Sequence, residues 1–196
     1  ATDELSAFAT KHNIPVTQTV MGYSTMKKDH SHYLGVIGGL GGRAANNLSK
    51  ETDTAIAIGT KLADFTTGSW ANFENPNFKL VSINTARFDA NKHMGQAIVG
   101  DAKVSLIELS YALGSWKADS NWYKKSRIEL KEWESYVDKE SAPTNQKLPS
   151  YAQVVGACYR NSDPTDIAVT AAGGLVGEVI QVWKPRELNT HETEWG

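Results

Sequence analysis

Two glycine-rich turns have the residue types and spacing for ligand chemistry. The first, Gly39-Leu40-Gly41-Gly42-Arg43-Ala44, satisfies G-x-G-x-x-A at the mouth of a predicted helix. Missing side chains there let backbone amides approach a pyrophosphate, and a helix N-terminus favours an anion. Close packing of a helix on a sheet calls for the same glycines. A dinucleotide site also wants an acidic residue ending the next strand to bind the ribose, and that strand ends in Gly59-Thr60-Lys61. The second turn, Thr170-Ala171-Ala172-Gly173-Gly174, follows a predicted strand and precedes a predicted helix, where a parallel sheet presents its ligands. A plain strand-to-helix turn would read the same way.

The other reactive residues suggest less. Asp29-His30-Ser31-His32 and His93 lack a third and fourth ligand at workable spacing, so these histidines are expected to be solvated and metal-free. Cys158 sits between Val154, Val155 and Tyr159 in a helical setting and is expected to be a buried thiol, with no local base to make it a nucleophile. Glu178, the carboxylate nearest the second turn, is expected on a helix surface. No catalytic residue emerges.

Alternating strands and helices must position these turns. Asp3 to His12 reads as a helix capped by Thr2 or Asp3, and Ile14 to Thr19 as a short strand. A helix in such a fold normally packs on the strand before it, so a first strand upstream of Ala1 is expected. The glycine loop feeds a helix from Arg43 to about Lys50. Thr54–Ile58, Lys79–Ile83 and Gln96–Val99 read as strands, the first apolar enough for a sheet covered on both faces. Gly100-Asp101 caps a helix from Ala102 to Leu113, with Val104, Ile107, Leu109 and Leu113 near one face. Trp122, Ile128, Leu130, Trp133 and Val137 mark a bridging helix, and the proline-bounded linker Ser141–Pro149 marks a domain boundary. Beyond it, Ser150 and Gln153 form a capping box, Asp166–Thr170 is a strand, and Gly173-Gly174 opens a helix. Residues 189–196 are expected to end without a closing element.

Composition narrows the classes. With 20 basic and 22 acidic residues in 196, no cation excess is available to neutralise a phosphate backbone. The apolar runs are too short to span a bilayer, and Ala-Thr-Asp-Glu is no signal peptide. A single cysteine, Cys158, fits a reducing compartment, and a cytoplasmic location is expected.

The ordered segments carry a resemblance that no single motif does. Pro15-Val-Thr-Gln-Thr-Val-Met-Gly22, Asp29-His30, Tyr33-Leu-Gly35, Gly38-x-x-Gly41-x-x-Ala44-Ala-Asn46, Asp53 to Gly59, Asp64, Thr67-Gly68, Phe73 and Gly100-Asp101 resemble the central domain of acetolactate-synthase-like thiamine diphosphate enzymes. Asn84-x-x-Arg87-Phe-Asp-Ala-x-Lys92, Ala171 to Gly177, Trp183 and His191-x-x-Glu194-x-Gly196 are similar to the trihydroxycyclohexanedione hydrolases of myo-inositol breakdown.

The resemblance implies an α/β protein. Residues 1–115 would be the Rossmann-like central domain, with its first strand missing. A bridging helix and linker would occupy 116–149, and 150–196 would begin a truncated diphosphate-binding domain. It further implies thiamine diphosphate and magnesium in a longer parent, whose other domains are this chain's partners within a homo-oligomer acting on a small molecule. Gly173, Gly174 and Leu175 match the segment that contacts the diphosphate. Many relatives have glutamine and histidine where Gly174 and Leu175 stand, so backbone contacts alone carry over. The flavin-contacting stretches match Gly22, Gly38, Gly41, Gly59 and Asp64, read here as a vestigial nucleotide site. Leu40 replaces a histidine and Lys61 an arginine, so flavin is not expected. The activating glutamate and the metal ligands would lie outside this chain, leaving it inactive alone.

Overall fold

In the computed structural model, which describes residues 1–194, the chain opens with α1, Thr2–His12. Gly196, which closes the His191-x-x-Glu194-x-Gly196 pattern, lies outside the described residues. Phe8, Ala9 and His12 form the buried face of α1. Its N-cap is Ala1 with no side-chain cap, not the expected Thr2 or Asp3. Those two residues lie inside the first turn, where Asp3 complements the helix dipole. Asn13 ends α1 in the left-handed conformation, φ 57°, its N–H bonded to the Ala9 carbonyl.

Among the described residues all strand pairing is parallel, the α/β arrangement read from the sequence. β1, Val16–Gln18, pairs with β2, Tyr33–Val36. The glycine loop leads from β2 into α2, Arg43–Glu51, which buries Ala44, Ala45 and Leu48. A second sheet has the order β3 (Thr54–Ile58), β4 (Lys79–Asn84), β5 (Gln96–Val99), with α3 (Asp64–Thr67) and α4 (Arg87–Asn91) in its connections. In β3 just Ala57 is fully buried, because β3 is an edge strand and its apolar run is not covered on both faces.

Asp101 caps α5, Ala102–Leu113, accepting a hydrogen bond from the Val104 N–H at 3.0 Å. The inward face of α5 is not the expected one. Leu106 is buried and Ser110 bonds His12 Nε2 at 3.0 Å, while Val104 and Ile107 are exposed. The apolar residues of α5 are spread around the helix among Lys103, Ser105, Glu108 and Ser110, so its pattern does not fix its rotation, and packing against α1 does. α6, Ser120–Glu140, lies on α2 and buries Ser126, Leu130 and Val137, with Trp122 and Trp133 partly buried. Ile128, expected in that stripe, points to solvent.

The Ser150–Gln153 capping box opens α7, Tyr151–Asn161. Cys158 is exposed, contrary to expectation, since α7 turns Val155 and Gly156 inward instead. β6, Ala168–Ala171, begins two residues late because Asp166 Oδ2 accepts the Asp163 N–H at 2.8 Å and closes a turn. After α8, Leu175–Val182, the strand β7, His191–Glu194, pairs with β6 from Ala168↔His191 to Ala171↔Glu194. The sequence placed no closing element there. β7 has the period-two pattern of a strand, with His191 and Thr193 inward, but its inward residues are polar and gave no apolar alternation to read.

One core cluster gathers Ala9, Met26, Tyr33, Leu34, Ile37, Ala44, Ala45, Leu48 and Leu130. Two more involve α8. Val176 and Ile180 pack with Val20, Tyr23 and Val36, and Val179 and Val182 pack with Val137 and Val155. Each large aliphatic side chain so buried contributes about 1.5–3 kcal/mol. Among the described residues, no helix is long and apolar enough to cross a membrane.

Candidate functional site

The turn after β6 is open. Residues 171–175 are exposed, and among the described residues a Cβ built on Gly173 or Gly174 would meet nothing within 4 Å. Gly173 has φ +137°, a backbone that a side chain would strain. Gly174 is the N-cap of α8 and supplies no side-chain cap, so first-turn amides are left to an outside acceptor. β6 and β7 both end at this edge, Ala171 beside Glu194. Glu178 stands half-exposed one turn into α8. The turn can therefore receive an anionic group through its backbone. Among the described residues no group of three or more His, Cys, Asp or Glu is placed to hold a metal ion.

The first glycine loop is closed. Its amides are spent internally: Gly38 N–H on Asn46 Oδ1 (2.9 Å), Gly39 N–H on Phe65 O (2.7 Å), Gly41 N–H on Gly38 O (2.9 Å) and Gly42 N–H on Val36 O (2.8 Å). Asn46 Nδ2 returns a bond to Gly38 O at 3.0 Å, and Asn72 Nδ2 donates to Asn46 Oδ1 at 3.2 Å. Gly38 has φ +109°, and a Cβ there would lie 2.2 Å from Phe65 O. A Cβ on Gly42 would lie 2.6 Å from Trp133 Nε1, so the α6 indole fills the space above the loop. Gln181 of α8 donates Nε2–H to Leu40 O.

The other flavin-matched positions are dispersed. Asp64 starts α3 beside the Phe65–Thr66 backbone that Gly38 touches, and its Oδ1 accepts from Ser69 Oγ at 2.9 Å. Gly22 ends a 3-10 turn, its N–H bonded to Thr19 Oγ1 at 3.1 Å. Gly59 ends β3 with φ +63° and open space around it. Contacts thus tie Gly38 and Gly41 to one another and Gly38 to the start of α3, while Gly22 and Gly59 follow the carboxyl ends of β1 and β3.

Besides His12, which bonds Trp116 O and Ser110 Oγ, three histidines are placed as follows. His32 is buried, not solvated as expected: Nδ1 is 2.9 Å from Ser31 Oγ, Nε2 is 3.3 Å from Asn13 Oδ1, and its ring lies 4.7 Å from that of Tyr123. Burial, then the charges of His30 and Arg127, lower its pKa. His93 Nε2 meets Lys61 O at 3.2 Å. His191 is 7% exposed, sits edge-on to Tyr23 at 4.9 Å, and its Nε2 has no hydrogen-bond partner among the described residues. Burial lowers its pKa to about 4. Tyr23 is buried as well and donates its hydroxyl to Trp183 O at 2.7 Å, burial holding its pKa well above the usual range.

Comparison with known proteins gives this geometry a context. A family model described as thiamine pyrophosphate enzyme, central domain, matches residues 1–109. The chain belongs to the thiamine pyrophosphate enzyme family. A protein of Clostridium botulinum (strain Alaska E43 / Type E3) named 3D-(3,5/4)-trihydroxycyclohexane-1,2-dione hydrolase is 32% identical over 219 residues, covering 100% of this chain and 34% of the relative. Its namesake in strain Eklund 17B is 33% identical over 219 residues with the same coverage. One from Bacillus anthracis (strain CDC 684 / NRRL 3495) is 30% identical over 223 residues, again covering 100% and 34%. The chain spans about a third of the length of these curated relatives.

Within this thiamine pyrophosphate enzyme chain, several residues that shape the site left no trace in sequence spacing. Gln181 reaches Leu40 across 141 positions and Tyr23 reaches Trp183 across 160, distances at which no periodicity or motif operates. The one available signal was Leu40 itself, an apolar residue in a glycine loop. It packs on the α8 cluster of Val176 and Ile180.

Proposed function

We propose that this chain is part of a thiamine-diphosphate-dependent enzyme that hydrolytically opens a cyclic 1,2-dione, a C–C bond hydrolase of myo-inositol breakdown, and that the chain alone is inactive. The observation that carries the reading is the open turn at Gly173 and Gly174, at the carboxyl end of the parallel β6–β7 pair, in a chain matched along its whole length by relatives named trihydroxycyclohexanedione hydrolase. Gly173, Gly174 and Leu175 would bind the diphosphate through backbone amides, with magnesium held by residues outside this chain. Thiamine diphosphate, when bound, supplies an electron sink for breaking a carbon–carbon bond. The chain's share is to present the turn and keep α8 in place. Residues 1–115 form the central domain in this reading, 116–149 the bridge and 150–196 the start of the diphosphate-binding domain. The separation of β1–β2 from β3–β4–β5 supports a further strand before α1 that would join them. The parent would be a cytoplasmic homo-oligomer.

The closed glycine loop argues for packing over nucleotide binding at Gly38 and Gly41, and so for a parent without flavin. The test uses the longer polypeptide encoded around this chain, supplied with thiamine diphosphate, Mg²⁺ and the cyclic dione. Ring opening by a colourless protein is expected, and none by residues 1–196 alone. A yellow protein that makes acetolactate from pyruvate would replace this reading with a flavin-containing synthase, and tight binding of a nucleotide by the chain itself would make it a nucleotide-binding module.

A further inference from the structure

The glycine loop and the diphosphate turn lie on different segments, yet one helix joins them. α8 begins at Gly174 and within two turns reaches Gln181, whose Nε2–H is donated to Leu40 O in the glycine loop. Leu40 packs on the cluster of Val176 and Ile180, and its Cδ2 would lie 3.7 Å from a Cβ on Gly177. At its far end α8 is pinned again, Trp183 O accepting the Tyr23 hydroxyl at 2.7 Å. Lys184, just beyond, pairs with Asp138 of α6 at 2.9 Å.

The loop is a rigid anchor for these contacts. Four of its amides are bonded internally, and Trp133 fills the space over Gly42. By contrast, at the other end of α8 a Cβ on Gly173 or Gly174 would meet no atom of the described residues within 4 Å. The turn contributes little to holding itself, so its place is set by where α8 is held.

We propose that Gln181 and Leu40 are positioning residues for the cofactor turn: the glycine loop acts as a socket that locks α8 and thereby fixes the backbone amides around Gly173 and Gly174. The socket assigns the glycine motif a role other than nucleotide binding. The cofactor part of the inference rests on the diphosphate reading above, whereas the locking of α8 does not.

Two measurements separate these. In the present chain, hydrogen exchange of the α8 amides is compared between wild type and Gln181→Met, which keeps the length of the side chain and removes the donor. Exchange about five-fold faster is expected over α8, with β4 unchanged, the size of effect that one lost hydrogen bond produces. Leu40→Ala, which leaves α8 itself intact, should act in the same direction. Equal exchange in wild type and both variants would overturn the socket.

In the longer polypeptide, thiamine diphosphate is titrated with Mg²⁺ present. Gln181→Met should raise its Kd about five-fold. Ile83→Val in the fully buried part of β4 serves as the control: it should lower the melting temperature and leave that Kd unchanged. If wild type binds and Gln181→Met binds equally well, or if Ile83→Val shifts the Kd as much as Gln181→Met does, the positioning role is wrong and the diphosphate reading survives. If wild type does not bind thiamine diphosphate, the diphosphate reading itself is wrong.

Discussion

His191 links burial to proton binding. Its ring is enclosed by the β7 setting and by Tyr23, and its Nε2 has no partner among the described residues; burial disfavours the charged form and the pKa falls from 6.5 to about 4. Well above pH 6.5 the folded and unfolded chains both carry a neutral ring, and this stability is fully present. As pH falls toward 4 the unfolded state takes up a proton that the native state refuses, and stability is lost. Urea unfolding should show a loss of roughly 2 kcal/mol between about pH 7.5 and about pH 5 from this group, with His32 adding in the same direction. His191→Phe should flatten the profile over that window. An unchanged slope in the variant would mean that the ring protonates freely in the native state. Cys158 shows the complementary lesson. A helix and apolar neighbours suggested burial, but which face α7 turns inward was settled by Val155 and by the contact of Gly156 with Ser141.

At the scale of elements, local chemistry was legible where a residue acts on its own backbone. Asp101 and Ser150 cap their helices as read, and α2, β3, β5 and α5 fall within a residue of their expected bounds. Ser150→Ala removes the hydroxyl that accepts the Gln153 N–H at 3.2 Å and leaves the reciprocal bond from the residue-150 backbone N–H to Gln153 Oε1. Thermal or urea denaturation of that variant should show a loss of about 1 kcal/mol. No measurable change would mean that α7 is held by its packing on α8 and not by its cap. The rotation of α5 and the presence of β7 were not legible, nor were β2, α3 and α4. The first depends on α1, and the second on a parallel partner, β6, that lies about 20 residues away in the chain.

For the molecule as a whole, the apolar clusters ignore the proline-bounded linker. Val20, Tyr23 and Val36 meet Val176 and Ile180, and Val137 meets Val155, Val179 and Val182. The proposed boundary near residue 150 therefore separates segments that share their cores. Calorimetry of the chain should give one cooperative transition. A version ending at Pro149 should melt at a lower temperature and bind a hydrophobic dye, since the partners of Val20, Tyr23, Val36 and Val137 are gone. Two transitions, the first insensitive to that removal, would show that the segments fold independently.

By itself the sequence determined the parallel α/β class, the bounds of α2, β3, β5 and α5 and the family, because hydrophobic period, caps and turn residues act over a few positions and an ordered set of short motifs carries the likeness. It also singled out both glycine turns. The tertiary structure alone decided that they differ, one sealed by Asn46, Phe65, Trp133 and Gln181, the other left open beside β6 and β7. A glycine records that space or an unusual backbone is needed. What fills the space comes from residues far away along the chain, and packing brings them there.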